Sequence, residues 1–183
     1  MGDDEAAKVE IKEILHRYCR AVDRADRELF RSIYHPDAIE HHGNFEGLGL
    51  DFVDVALGRA GGVELWQHHL TTINIDVDGD VAYSEAYYIS SSVFLPDADG
   101  NREMWDLFGR YVDRFERRQG KWKIAERLCV RDFRHDRVIG PPLSKEKHIQ
   151  GSKDSNDPSY WPGFSRNPVT AATSAGRQGV IHE

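Results

Sequence analysis

HHLTTINIDVDGDVAYSEAYYISSSVF, residues 68–94, alternates apolar and polar side chains on both sides of Asp78-Gly79-Asp80. Period-two alternation around so short a turn predicts two antiparallel strands joined as a hairpin. Downstream, PDADGN (96–101) predicts a turn, MWDLFGRYVDRFERR (104–118) a long strand, RQGK (118–121) a turn and KWKIAERLCVRDF (121–133) the last strand. Upstream the period changes. Ile14, Leu15, Tyr18, Cys19 and Val22 recur at steps of three and four, which predicts a helix over 5–23. Asp26 is placed to cap a short second helix, RELFRSIY (27–34), and His35-Pro36-Asp37 ends it. AIEHH (38–42) reads as a short strand, GNFEGLG (43–49) as turn and loop, and LDFVDVALGRAGG (50–62) as a third helix. Helices followed by four antiparallel strands with short connections make an α+β fold in which a curved sheet wraps the helices.

The remaining sequence bounds the function. With 183 residues the chain holds one domain, assigned to 1–140, and an extended, partly disordered tail, 141–183, with five of the seven prolines. Its aromatic segment Tyr160-Trp161-Pro162-Gly163-Phe164 is expected to dock on the body or on a neighbour. The net charge of −7 argues against a nucleic-acid partner, which selects a basic surface. No apolar run reaches the ~20 residues of a membrane span, and the acidic start MGDDEA is no secretory signal, so a cytoplasmic location is expected. Cys19 and Cys129 form no CxxC pair, and there is no HExxH, P-loop, GxSxG or dinucleotide fingerprint, so neither metal nor cofactor is expected.

Strand parity sorts the polar side chains. His68, Leu70, Thr72 and Asn74 share one face, and His69, Thr71, Ile73 and Ile75 the other. Ser84, Ala86, Tyr88 and Ser90 share a face, as do Glu40 with His42, and Arg127 with Cys129 and Arg131. Ile124, Leu128 and Val130 fall opposite Arg127 and, with Leu107 and Val112, are assigned to an outer apolar face. A flat sheet would leave the mixed faces in water; a strongly bent one can close them around a pocket. Taken singly, Asp23 at a helix end and the two arginines also fit ordinary solvated positions.

Tyr18 and Asp23 near the first helix end, HPDAIEHHG, HHLTTINIDVDGDVA and above all GRYVDRFERRQGKWKIAERLCVRD (109–132) resemble the SnoaL-like, scytalone dehydratase-like branch of the nuclear transport factor 2-like superfamily. The resemblance covers about residues 5–140. It implies a cone of curved antiparallel sheet around N-terminal helices, the cystatin-like α+β barrel. It also implies a cofactor-independent lyase or dehydratase acting on a small hydrophobic, aromatic or polycyclic, molecule. The family's catalytic Asp and His fall on Asp23 and His68, and its catalytic Tyr and Arg on Tyr18 and Arg131. Arg127 matches an arginine of the family's dehydrochlorinase, and His42 stands where scytalone dehydratase has a pocket Tyr. Thr72 replaces a frequent Asn. Glu40, Tyr88 and Tyr111 complete the expected substrate contacts, with His69 taking the place of His68 if the register slips by one. The family's dehydratases are homotrimers, so a trimer, or a dimer, is expected through the sheet. The same fold also serves non-catalytic ligand-binding or assembly subunits and isomerases of ketosteroid type, the two alternative readings.

Overall fold

The computed structural model describes residues 2–161 and residue 163. Helix α1 (Asp3–Asp23) starts with Asp3, Asp4 and Glu5 against the positive end of its dipole. It buries Ile14, Leu15, Tyr18, Cys19 and Val22, the stripe expected from their spacing, and Ile11 one turn earlier. Helix α2 (Arg27–Ser32) is capped by Asp26, whose carboxylate accepts from the Leu29 N–H at 3.0 Å. Helix α3 (Gly49–Gly58) runs into a single 3-10 turn, Arg59–Gly62. Among the described residues no helix is long and apolar enough to cross a membrane.

Six strands form one open, curved sheet: β1 (Tyr34–His42), β2 (Phe45–Leu48), β3 (Val63–Asp78), β4 (Val81–Phe94), β5 (Arg102–Arg118) and β6 (Lys121–Ile139). Their order is β2-β1-β6-β5-β4-β3. Two features differ from the expected all-antiparallel sheet. The GNFEGLG loop contains β2, which pairs back on β1. β1 in turn runs parallel to β6, so the sheet is mixed. β1 also begins earlier than expected, at Tyr34. His35-Pro36-Asp37 does not end the chain's extended course; it bulges out of the β1–β6 register between Tyr34 and Ile39, where proline's missing N–H costs no ladder bond.

Bulges decide which way the long strands face. β3 carries one extra residue between Leu70, opposite Tyr88, and Ile73, opposite Ala86. Each bulge reverses the parity of the residues beyond it. Ile73 and Ile75 therefore join His68 and Leu70 on the inner face, while Thr72, expected there, is exposed. β6 has an extra residue at Ala125, so Ile124 shares the inner face with Arg127 and is fully buried rather than part of an outer patch. Leu107 also faces inward, opposite Ser90. The outer face instead shows Tyr83, Tyr87 and Leu128 to solvent.

The inner face is thus a set of cross-strand rows. One runs His42–Cys129–Tyr111–Ala86, and the next Glu40–Arg127–Asp113–Ser84. A third runs Tyr34–Ile124–Phe115–Ala82. α1 lies across these rows, and Phe30, Phe52 and Val53 of α2 and α3 fill the space beside it. Ala82 and Ala86 of β4 are fully buried on this face.

The tail leaves β6 at Ile139 and returns across the body. Lys153 donates to the backbone carbonyls of Ala60 and Val63. Tyr160 ends a 3-10 turn (Pro158–Tyr160), donates to Asp26 at 3.3 Å and takes the Arg20 guanidinium over its ring. Tyr160 thus docks on α1 of its own chain; the placement expected for Pro162 and Phe164, and the part of the 141–183 tail from 164 on, lie outside the described residues.

Candidate active site

The last turn of α1 ends where β3 passes, and two side chains meet there. Asp23 Oδ1 lies 2.6 Å from His68 Nδ1, and Asp23 Oδ2 accepts the His68 backbone N–H at 3.1 Å. One carboxylate thus grips both the ring and the strand that carries it. Nδ1 bonded to a carboxylate holds the proton, which leaves Nε2 with its lone pair. Nε2 faces Ser90 Oγ at 2.9 Å, from the residue directly opposite on β4. Both side chains of the pair keep a little solvent contact, 8% for His68 and 15% for Asp23. His69 points outward and is exposed, so the register leaves His68 as the partner of Asp23.

Beneath the pair lies an aromatic and charged layer. The Tyr18 ring stands edge-on to His68, with centroids 6.4 Å apart, and edge-on to Tyr111 at 5.1 Å. Tyr88 stacks on Tyr111 at 4.3 Å. The Arg127 guanidinium sits between Tyr18 and Tyr111, 4.1 and 4.3 Å from the ring centres. It is fully buried and makes a two-point bond to Asp113, at 2.7 and 2.6 Å. Burial works against its charge, but Asp113 more than offsets that and keeps the guanidinium protonated. Burial also pushes the Tyr18 phenol well above its ordinary value, with Glu40 adding to the effect, so this hydroxyl stays protonated at any working pH.

A second polar group lies on the same inner face, on the far side of Tyr88 and Tyr111. Glu40, fully buried, accepts from Tyr34 OH at 2.9 Å and contacts His42 Nδ1 at 3.1 Å. The His42 ring stacks on Phe52 at 4.5 Å, and Cys129 is its cross-strand partner. Arg131 is exposed at the rim, its guanidinium lying over Gly43 in the β1–β2 turn.

The expected site residues therefore separate. Asp23, His68 and Tyr18 come together; Tyr88 and Tyr111 line the same face; Glu40 and His42 form their own pair. Arg127 is locked into Asp113 beneath the surface, Arg131 sits at the rim, and Thr72 points away at the bulge. Two partners were not among the expected site residues. Ser90 follows from pairing once His68 is fixed, and Asp113 could have been suspected as the acidic residue opposite Arg127 on β5. Among the described residues no group of three or more His, Cys, Asp and Glu side chains is arranged to hold a metal ion.

Residues 4–128 match the model of the SnoaL-like domain. The chain belongs to this family. The fold is the nuclear transport factor 2-like cone, and solved structures share it at low identity. A protein from Kribbella flavida has 17% identity and a TM-score of 0.65, covering 73% of this chain and 95% of its own. A proposed scytalone dehydratase from Novosphingobium aromaticivorans has 18% identity and a TM-score of 0.64, covering 82% and 94%. A hexachlorocyclohexane dehydrochlorinase from Novosphingobium barchaimii has 15% and 0.66, covering 78% and 97%. The sequence matches none of the curated proteins.

Proposed function

We propose that this SnoaL-like protein is a cofactor-independent lyase, a dehydratase or related eliminase, with His68 as general base and Asp23 as its orienting partner. The observation that carries the reading is the pair of hydrogen bonds from the ring and backbone of His68 to the Asp23 carboxylate, at 2.6 and 3.1 Å. This fixes the tautomer and aims Nε2 away from the carboxylate. A substrate displaces Ser90 from Nε2, which then takes a proton from carbon beside a carbonyl or similar electron-withdrawing group. The C–H electron pair becomes the new C=C bond, and the leaving group on the adjacent carbon departs with its own pair. Asp23 stabilises the imidazolium that forms. Tyr18, held protonated, supplies a donor toward developing negative charge.

The rings of Tyr18, Tyr88 and Tyr111, packed on one another beside the pair, suit a small hydrophobic substrate, aromatic or polycyclic. Arg127 serves the site from beneath, as a fixed charge, since it is fully buried and held by Asp113 through two of its three nitrogens. The family, and the shared fold with a dehydrochlorinase and a proposed dehydratase, are consistent with elimination.

The test is a panel of aromatic and steroid-like β-hydroxy ketones incubated with the protein, with loss of water followed by mass spectrometry in the presence of EDTA. One or more should be dehydrated, and His68→Ala should reduce turnover by ~10²–10⁴-fold, the usual weight of a general base. Equal turnover by His68→Ala, or recovery of EDTA-silenced activity on adding a divalent ion, would refute the assignment.

A further inference from the structure

The lyase reading leaves one cluster unused. Glu40, His42 and Cys129 stand together on adjacent parallel strands, His42 directly opposite Cys129 in the register. Glu40 holds His42 at Nδ1, 3.1 Å away, and is itself held by Tyr34. The ring is further fixed by its stack on Phe52, and the thiol stands beside it as its cross-strand partner. Tyr88 OH lies 3.4 Å from Cys129 Sγ. Carboxylate, imidazole and thiol in this order are the parts of an activated nucleophile. The thiol is only partly buried.

We infer that Cys129, paired with His42 and Glu40, is a nucleophilic thiolate that adds to the β-carbon of a small α,β-unsaturated carbonyl compound. The thiol proton passes to His42. The C–S bond forms as the C=C π pair moves toward the carbonyl oxygen as an enolate, with Tyr88 positioned to donate to it. The imidazolium then returns the proton to the α-carbon. The net change is addition of S–H across C=C, with no oxidant or reductant. Compounds of this class are what an elimination beside a carbonyl produces, but the inference stands on the thiol's surroundings and needs no turnover at His68.

The groups facing the thiol favour its ionised form. Burial pushes the Cys129 thiol up, yet the neighbouring His42, the Tyr88 hydroxyl and the Arg131 charge more than offset this and bring it below the ordinary thiol range. For His42, burial pulls the imidazole down, and Cys129 and Glu40 outweigh that and raise it. Tyr88, pushed up mainly by burial, remains a neutral donor, as does Tyr111 in the same row. Asp132, on β6, is the one further acidic group acting on Tyr88. The other cysteine is a built-in control: burial, with Asp23 nearby, pushes Cys19 up to about 12.

The experiment uses the whole chain and 2-cyclohexen-1-one as probe, with adducts read by intact mass and mapped by peptide mass spectrometry. One adduct should form, on Cys129, and none in Cys129→Ser. Between pH 8 and pH 6 its rate should fall clearly less than the about 80-fold that an ordinary thiol with a pKa of ~8.5 loses over the same span. His42→Asn should slow labelling at pH 6 by ~10-fold or more and restore the steep profile. A steep profile in the unmodified protein, which needs no variant to fold, overturns the inference. So does labelling of Cys19 in preference to Cys129, or an unchanged rate in a folded His42→Asn protein.

Discussion

Asp23 closes a ring with His68: one carboxylate oxygen meets the imidazole Nδ1 and the other the same residue's backbone nitrogen, at 2.6 and 3.1 Å. The end of α1 and the strand β3 are joined by that contact, so the base cannot move without its orienting partner. Asp23→Asn keeps the shape but can present its NH₂ to Nδ1 and so favour the wrong tautomer. Turnover should then fall by ~10²-fold or more with little change in melting temperature, measured by kinetics and calorimetry side by side. Asp23→Ala should lose both activity and some stability, because the His68 N–H then lacks its acceptor.

The Arg127–Asp113 pair is a different case, being wholly buried on both sides. Removing one partner leaves the other charged and unpaired in the core, so Asp113→Ala should destabilise the fold by about 3–5 kcal/mol. Arg127→Met combined with Asp113→Leu should recover much of that loss. Chemical denaturation of the single and double variants checks it; additive losses would show that the pair is not the relevant unit.

Gly109 lies where β5 passes under Tyr88, and a Cβ there would strike the Val130 carbonyl as well as the Tyr88 hydroxyl. The backbone cannot yield as a side chain can. Gly109→Ala should therefore cost about 1–3 kcal/mol and disturb the Tyr88–Tyr111 stack at 4.3 Å. Urea unfolding together with near-ultraviolet circular dichroism reads both effects.

The tail is pinned by Asp157, which accepts from the backbone N–H groups of Ser152 and Ser159 at 2.9 and 3.0 Å and faces Arg24 at 3.2 Å. Burial alone would raise this carboxyl, but the bonds to Ser159 and Ser152 prevail and hold it below its ordinary 3.8. A carboxyl lowered in the docked state favours docking in full above its free value and loses that contribution as pH falls through the lower, docked value. Limited proteolysis should find residues 150–160 protected at pH 5 and released only well below pH 3.8. In Asp157→Ala the segment should be cut at pH 5 as well.

Tyr83, Tyr87 and Leu128 stand exposed on the convex side of the sheet, at 57%, 42% and 43%. Apolar surface of this kind favours self-association, and a homotrimer, or a dimer, formed through this face is the expected state. Sedimentation should give a multiple of the 20.9 kDa chain mass, and Tyr87→Lys with Leu128→Lys should reduce it to the monomer. A monomer at micromolar concentration in the unmodified protein would show that the convex face is simply solvated.

What the sequence determined by itself was local. The helical stripe of α1, the Asp26 cap and the turn at Asp78-Gly79-Asp80 each follow from residues a few positions apart, whose spacing and turn chemistry suffice. The resemblance then singled out Asp23, at the end of α1, and His68, which lies five residues inside β3 because that strand begins at Val63 rather than at 68. The sheet's facing was decided only by tertiary structure. Parity holds until an extra residue enters a strand, and nothing in Leu70-Thr71-Thr72-Ile73 or around Ala125 announces one; the bulge exists because the neighbouring strand fixes the pairing on both sides. Thus Thr72 turned outward and Ile124 inward, against expectation. The parallel run of β1 beside β6 is likewise a contact between segments some 90 residues apart in the chain. It is this contact that sets Glu40 beside Arg127, and His42 beside Cys129, pairings that no local pattern carries because the residues have no neighbours in common until the sheet has formed.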